Sequence, residues 1–202
     1  TWNPQLGIVG GISILGTTGV VIPFSCSAWI HSIHRGIDVA RATKTIHVGA
    51  STGSTSGKAV RAKYNLPETS MIDMGDFAGG MLKYLRGHPI PRITIGGGVG
   101  KLSKLAQGHL DLHSGRSQLD LEWLAGQVST LGASNRTTQV IRQANSALEV
   151  FEIAENQNLP LANLIASKAR AVALNVLSGA PTEVEILVFN RQGKLLGVAH
   201  GW

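Results

Sequence analysis

Four short runs of glycine, hydroxyl and acidic residues are the segments of this sequence best suited to bind a ligand. They are residues 16–19, 49–55, 73–76 and 96–101. Glycine lets backbone amides approach a ligand closely, and amides at the start of a helix favour negatively charged groups. Each run follows an apolar stretch, so all four are expected at the carboxyl ends of strands, where open parallel sheets bind their ligands. The pattern predicts a cofactor or substrate cleft at that edge.

Two of these runs come close to known phosphate-binding fingerprints and then depart from them. Residues 53–58 resemble a phosphate loop, but the run is one residue short and Ala59 replaces the required serine or threonine. The run from Gly96 begins like a dinucleotide fingerprint, but Lys101 occupies the position of the third glycine. No acidic residue ends the second predicted strand to hold a ribose. Nucleotide binding by either standard route is therefore disfavoured.

A metal site is a second chemistry that the sequence could offer. His31, His34 and Asp38 would share one face of a helix, and residues 109–113 place two histidines around an aspartate. Histidine and carboxylate side chains on one face can bind a metal ion. A solvated polar face opposite an apolar stripe explains the helical set more simply. We therefore expect no metal site in the protein.

The elements that would position these runs alternate between strand and helix. Strands are predicted at residues 8–15, 45–48, 70–74 and 92–95, and helices at 25–42, 55–64, 76–86 and 99–107. Asp76 is the expected N-cap of the third helix. Alternation of this kind predicts a Rossmann-like α/β fold, with a mostly parallel sheet and helices on both faces.

The alternation of strands and helices ends in the second part of the chain. Helices are predicted at residues 119–131, 135–156 and 161–177, followed by hairpin strands at 183–190 and 194–199. We therefore divide the chain into a Rossmann-like region, residues 1–118, and a helical segment with a C-terminal hairpin, residues 119–202. The two are expected to pack on the same body as one domain.

Composition and charge exclude several classes of function. The 202 residues include 18 lysines and arginines against 12 aspartates and glutamates, a net charge of +6 that attracts anions. The basic residues are scattered singly, so nucleic-acid binding is not expected. Residues 6–24 are apolar, but glycines interrupt them and no basic flank precedes them, so a membrane span is not expected either. The single cysteine, Cys26, forms no intrachain disulfide and is predicted to be a small buried residue in a cytoplasmic protein.

Six longer ordered strings are more specific than any of the glycine runs: residues 10–19, 29–38, 51–53, 74–77, 101–106 and 111–114. In these strings the chain resembles the CbiD family of anaerobic cobalamin biosynthesis. The resemblance covers nearly the whole chain and looks like the C-terminal half or more of the family. An N-terminal portion is therefore expected to be missing, and these 202 residues alone are expected to show little activity. The chain departs from the family pattern at Gly57, where the family has an acidic residue, and at Gly115, where it has a basic one.

The resemblance implies methyl transfer from S-adenosylmethionine to ring carbon 1 of a cobalt-containing tetrapyrrole, cobalt-precorrin-5B. Combined with strand-end positions, it implies cofactor contacts by Gly16, Thr17, Thr18, Gly19, Ser51, Thr52, Gly53, Asp73 and Asp76. Substrate carboxylates would be bound by Lys101, Lys104, His109, His113 and Arg116. No catalytic acid or base is assigned, and the cobalt belongs to the substrate.

Two other functions stay open on the residues alone. One is a non-catalytic Rossmann-like module that binds a nucleotide or a tetrapyrrole, and the other is a nicotinamide-dependent reductase. Either would use a glycine-rich edge and a basic surface, so the residue pattern does not separate them from a methyltransferase.

Overall fold

A five-stranded sheet organises the part of the chain that the computed structural model describes, residues 8–11 and 25–202. Its strands are β1 (His47–Ser51), β2 (Met71–Asp73), β3 (Arg92–Gly98), β4 (Glu183–Phe189) and β5 (Leu195–Ala199). They lie in the order β2-β1-β3-β4-β5. The first four are parallel, and β5 pairs with β4 in the antiparallel sense. The predicted α/β class, with a mostly parallel sheet and a C-terminal hairpin, is confirmed.

Eight helices lie within the described ranges. They are α1 (Cys26–Ala42), α2 (Ser54–Tyr64), α3 (Ala78–Gly87), α4 (Val99–Ala106), α5 (Leu121–Thr130), α6 (Asn135–Arg142), α7 (Ala147–Asn156) and α8 (Leu161–Leu177). Helix α1 begins where Ser25 caps it, accepting a hydrogen bond from the amide of Ala28 at 3.2 Å. The apolar stripe predicted at Ile30, Ile33, Ile37 and Ala40 is buried at the last three residues and half-buried at Ile30. Periodicity thus predicts the buried face of this helix.

The two faces of the sheet bury different cores. On one face, Val60 of α2 packs with Met71, Leu187 and Phe189 in a small cluster. The other face carries the larger core, where strand residues such as Ile93 and the other helices meet. Helices cover both faces, as parallel strands require. Strands β3 and β4, from either side of residue 118, pair directly, and the division into two segments stays a prediction.

One carboxylate is buried on the face covered by α2. Glu185 is 2% exposed and accepts hydrogen bonds from the hydroxyl groups of Tyr64 and Thr94. His47 contacts the same threonine hydroxyl at 2.9 Å, and His200 lies 3.4 Å from the other Glu185 oxygen. Burial, with the hydrogen bond to Glu185, raises the pKa of Tyr64 well above its usual value. Hydrogen bonding of this kind makes a buried carboxylate tolerable.

Several predicted strand bounds were wrong. Strand β1 begins two residues later than predicted and runs on to Ser51, and β3 continues through Gly98. The glycines at 49 and 96–98 are therefore strand residues, where loop residues had been expected. Residues 8–11 are described and form no strand, while residues 12–15 and the run from Gly16 to Gly19 lie outside the described residues.

The predicted cap of α3 was also wrong. The N-cap is Phe77, without a side-chain hydrogen bond, and the carboxylate of Asp76 lies 3.0 Å from the ammonium group of Lys101 instead. The opposite charge of Lys101 attracts the side chain that would otherwise cap the helix.

Two further sequence predictions need correction. The helix predicted at residues 135–156 is two helices, because Ser146 caps α7 by accepting a hydrogen bond from the amide of Glu149 at 3.3 Å. This is the Ser-x-x-Glu spacing of a capping box, a start signal inside an apparently continuous helix. Cys26 is exposed at the beginning of α1, where a small buried residue had been predicted.

Glycine 96 is required by the close approach of α2 to the sheet. A Cβ atom there would overlap Val60 Cγ2 and would lie 3.2 Å from Phe189 Cε2. Overpacking of a filled core typically costs about 1–3 kcal/mol. We therefore expect Gly96→Ala to lower the free energy of unfolding by about this amount, measured by urea denaturation.

The matched control is Gly98→Ala in the same strand, where a Cβ atom would meet nothing within 4 Å. It is expected to leave the stability nearly unchanged. Equal stabilities of the two variants would contradict the packing role of Gly96.

Candidate functional site

Three of the four predicted ligand-binding runs meet at one edge of the sheet. Strands β1, β2 and β3 are parallel neighbours, so their carboxyl ends lie side by side. The amides of Met74 and Gly75 both donate to the carbonyl of Ser51, at 3.0 and 3.2 Å. The amide of Thr52 donates to the carbonyl of Gly96 at 3.0 Å. These backbone bonds join the loops into one continuous rim.

A cleft of about 610 Å³ opens on this rim. Its walls are residues 52–56, 98–101, 146–148 and 189–191. The volume lies within the range of small-molecule sites, roughly 300–1,000 Å³. Among the predicted site residues, Thr52, Gly53 and Lys101 line it.

Two of the three helices that begin at the cleft have unsatisfied amino-terminal ends. Helix α2 follows Gly53 and α4 follows Gly98, and neither has a side-chain cap or an acidic residue in its first turn. Helix α7 differs, because Ser146 caps it and Glu149 lies in its first turn. Free amides at a helix start carry partial positive charge. The ends of α2 and α4 therefore favour an anionic or hydrogen-bond-accepting ligand.

Lys101 connects the loops that follow β1 and β2 with the start of α4. Its ammonium group donates a hydrogen bond to the carbonyl of Thr52 at 2.7 Å and lies 3.0 Å from Asp76 Oδ1. That Asp76 oxygen is buried and receives no well-aligned hydrogen bond among the described residues. The contact with Lys101 is therefore an ion pair that leaves the oxygen able to accept a further hydrogen bond.

Asp73 and Asp76 lie beside the cleft, at the end of β2, and do not line its walls. The indole nitrogen of Trp29 donates to the backbone carbonyl of Asp73 at 2.9 Å. Burial raises the pKa of the Asp73 carboxyl group, against the opposing effects of the Gly75 amide and the charge of Lys101. The rim thus has an acidic side at β2 and a basic side at β3.

The remaining predicted substrate residues are not brought into the cleft. Lys104 is 8% exposed, and its ammonium group donates to the carbonyl of Leu112 at 3.1 Å. It therefore supports the loop that carries His109 and His113, both of which are exposed.

Arg116 belongs to a separate surface group near the start of α1. Its guanidinium forms an ion pair with Asp111 at 2.6 Å and contacts the sulfur of Cys26 at 3.7 Å. The ring nitrogen Nδ1 of His113 accepts a hydrogen bond from the amide of Gly115 at 3.1 Å. Substrate contacts by these residues stay a prediction that the cleft itself does not support.

The histidines considered for metal binding have other contacts. His34 stacks on Tyr84 with ring centroids 3.9 Å apart, and the Tyr84 hydroxyl donates to Asp38 at 2.8 Å. In the part of the chain that the structure describes, no three or more histidine, cysteine or acidic side chains are grouped to hold a metal ion. Nor does any described helix have the length and apolarity needed to cross a membrane.

Sequence reasoning missed the cleft residues contributed by the second part of the chain. Ser146 begins α7, and Asn190 and Arg191 follow β4. The parallel pairing of β4 with β3 is what brings residues 189–191 beside residues 98–101. The sequence predicts the hairpin but not its place beside β3, so no local signal puts Arg191 on the rim.

Comparison with known proteins finds that the chain is similar to one family. Residues 111–200 match the family model described as "CbiD, C-terminal domain", and residues 1–23 match the model described as "CbiD". No solved structure matches the chain.

Several similar proteins carry the name cobalt-precorrin-5B C(1)-methyltransferase. The protein from Paramagnetospirillum magneticum is 62% identical over 200 residues, 99% of this chain and 56% of its own length. Those from Brucella canis and Brucella abortus are 60% identical over 196 residues, 97% of this chain and 53% of theirs. The chain therefore spans little more than half the length of these curated relatives.

The raised pKa of Asp73 has a testable consequence for stability. A carboxyl group with a higher pKa in the folded chain binds more protons when folded, so stability falls as pH rises from the ordinary value of 3.8 through the raised one. Asp73→Asn removes this penalty. We expect the variant to unfold at higher urea concentration than the wild type near pH 7 and to lose that advantage near pH 3. Equal or lower stability of the variant at neutral pH would contradict the burial effect.

Proposed function

This chain belongs to the CbiD family, and from that premise we propose that it takes part in S-adenosylmethionine-dependent methylation of ring carbon 1 of cobalt-precorrin-5B. The product would be cobalt-precorrin-6A, in anaerobic cobalamin biosynthesis. The observation that carries the proposal is 60–62% identity, over 97–99% of the chain, to proteins named for this reaction. The chain's single cysteine is an exposed thiol, which suits the reducing cytoplasm that we propose as its location.

The rim offers groups that suit S-adenosylmethionine. A Cβ atom at Gly53 or Gly98 would meet nothing within 4 Å, so both glycines leave open space beside unsatisfied helix amides. The carboxylates of Asp73 and Asp76 suit the cationic and hydroxyl-bearing parts of the cofactor, because a carboxylate attracts positive charge and accepts hydrogen bonds. The residues present therefore fit the cofactor.

We assign cofactor binding to the ends of β1 and β2. The residues are those predicted from the sequence: Ser51, Thr52, Gly53, Asp73 and Asp76, together with Gly16, Thr17, Thr18 and Gly19 outside the described residues. Ser51 and Thr52 are only 5% and 6% exposed, so their side chains are held firmly by the surrounding packing. A rigid wall of this kind holds a small ligand in one orientation.

When bound, S-adenosylmethionine would supply a sulfonium methyl group for transfer to a nucleophilic ring carbon, with S-adenosylhomocysteine as the leaving group. The chain's own residues would align the two reactants and exclude water. Correct orientation of two partners can account for about 7–11 kcal/mol of a barrier. The loops tied together by Lys101 would provide that alignment, since one ammonium group contacts the loops after both β1 and β2.

The substrate would bind on the basic side of the rim. A tetrapyrrole with acetate and propionate arms is an anion, and the net charge of +6 would attract it. Lys101 is the predicted substrate residue that lies in the cleft. The exposed residues His109, His113 and Arg116 would contact only parts of the macrocycle that extend beyond the cleft. Lys104, predicted as a fourth contact, would act only by supporting the loop between the two histidines.

Ligand-induced stabilisation separates this proposal from the two alternatives. S-adenosylhomocysteine, a nicotinamide dinucleotide and ATP are added separately, and the unfolding midpoint is measured by differential scanning fluorimetry. A ligand at 100 times its Kd stabilises a protein by about 2.7 kcal/mol. We expect a clear upward shift with S-adenosylhomocysteine alone. An upward shift of the unfolding midpoint with the dinucleotide or ATP, and none with S-adenosylhomocysteine, would refute the methyltransferase function.

Asp76→Asn tests the cofactor assignment directly. Loss of a charge-assisted contact typically costs about 1.5–3 kcal/mol, so we expect S-adenosylhomocysteine to bind at least about tenfold more weakly. Isothermal titration calorimetry measures the change. The control is Glu122→Gln, which removes an exposed ion pair with Arg142 away from the rim and should leave the affinity unchanged. Unchanged affinity of the Asp76 variant would remove this residue from the site.

A further inference from the structure

The described walls of the cleft carry positive charge and no carboxylate. Of its described lining residues, Lys101 and Arg191 are cationic and none is acidic. The ion pair with Asp76 partly neutralises Lys101. The guanidinium of Arg191 makes no ion pair or hydrogen bond with any described residue, and the side chain is exposed. It is therefore available to a ligand.

Arg191 is held at the rim by a well-defined turn. The side-chain oxygen of Asn190 accepts hydrogen bonds from the amides of Gln192 and Lys194, at 3.0 and 2.9 Å. Gly193 has a φ of 82° and donates its amide to the Asn190 carbonyl at 3.1 Å. A side chain at position 193 would strain this left-handed conformation. The turn thus fixes the backbone from which Arg191 extends.

Thr52, which lines the same cleft, has a hydroxyl that bonds to no described residue. The residue as a whole is 6% exposed. Its carbonyl and amide are both used, by Lys101 and Gly96. A ligand oxygen in the cleft would accept a hydrogen bond from this hydroxyl.

The unsatisfied starts of α2 and α4 complete the arrangement. Both helices begin at the cleft, and neither has a side-chain cap or an acidic residue in its first turn. Helix amides, a hydroxyl and a guanidinium are the donors that bind a carboxylate. A phosphate loop is not formed here, because Ala59 stands where the hydroxyl residue of that motif belongs.

We propose that the cleft between the starts of α2 and α4 is a carboxylate-binding subsite, in which Arg191 and the Thr52 hydroxyl receive one carboxylate of a reactant. The identity of the reactants rests on the proposed function. Both of them carry carboxylates: the macrocycle in its acetate and propionate arms, and the methyl donor in its amino-acid part. The subsite has the same chemistry in either case.

Arg191→Gln tests the subsite with paired acid and ester probes. Uroporphyrin, which carries eight carboxylates, and its uncharged octamethyl ester are each titrated into the protein and followed by fluorescence. We expect the variant to bind uroporphyrin about tenfold more weakly and with a shallower dependence on salt, and to leave ester binding unchanged. The control is Arg136→Gln on α6, an exposed arginine outside the cleft that removes the same charge.

A second pair of ligands identifies the source of the carboxylate. S-adenosylhomocysteine has an amino-acid carboxylate, and 5′-methylthioadenosine lacks it. Weaker binding of S-adenosylhomocysteine alone by the Arg191 variant assigns the subsite to the methyl donor. Weaker binding of uroporphyrin alone assigns it to the macrocycle. Thr52→Val keeps the shape of the side chain and removes the hydroxyl. It should weaken binding about threefold for the ligand that the Arg191 variant also binds more weakly, without lowering the stability of the protein.

The subsite is overturned if the Arg191 and Arg136 variants bind both carboxylate ligands with equal affinity. It is also overturned if the Arg191 variant loses affinity for uroporphyrin and for its octamethyl ester alike. Failure of the wild type to bind either carboxylate ligand overturns it as well. If uroporphyrin binding depends on Arg191 and S-adenosylhomocysteine does not stabilise the protein, the subsite is retained and the proposed methyltransferase function is refuted. If S-adenosylhomocysteine stabilises the protein and the Arg191 variant binds both carboxylate ligands as the wild type does, the function is retained and the subsite is refuted.

Discussion

Parallel pairing of four strands is the constraint on which the site depends. Hydrogen bonds between β2, β1, β3 and β4 fix the register of every residue along these strands. In a parallel sheet, all carboxyl ends lie at one edge. Loops that are more than a hundred residues apart in the sequence therefore meet there, as residues 52–56 and 189–191 do. The cleft is a consequence of register, and its chemistry depends on which residues follow each strand.

The glycines of this sequence serve two different purposes. Gly96 and Gly97 lie in β3, where a Cβ atom would collide with Val60 or approach the side chain of Thr52 to 2.9 Å. Gly53 and Gly98 lie at the helix starts and border open space. The first pair allows close packing, and the second leaves room for a ligand. Composition alone does not separate these roles, because both pairs occur in runs that look alike.

Local signals in the sequence predicted the helices well. The stripe through Ile33 and Ile37 follows from helical periodicity, and α8 has the bounds that the sequence predicts. The strands were harder, because an apolar run with glycine does not show where hydrogen bonding to a neighbour ends. Residues 49–51 and 96–98 became strand through pairing, which is a property of the whole sheet.

The candidate site was predictable only in part, for the same reason. The loops after β1, β2 and β3 could be placed from the alternation of strand and helix. Arg191 could not, since its place depends on β4 joining the sheet beside β3. The cap at Ser146 was readable from its spacing to Glu149, whereas the ion pair that draws Asp76 away from α3 is a tertiary contact. Long-range contacts account for most of what the sequence did not show.

The position of Lys101 has a consequence for how this rim can change. One flexible side chain is bonded to the loop after β1 and paired with the loop after β2. Replacing Lys101 would remove its contacts with both Thr52 and Asp76. A substitution at this position therefore changes the acidic and the basic side of the rim together. New specificity is more accessible through the hairpin, whose exposed turn can vary without disturbing that shared link.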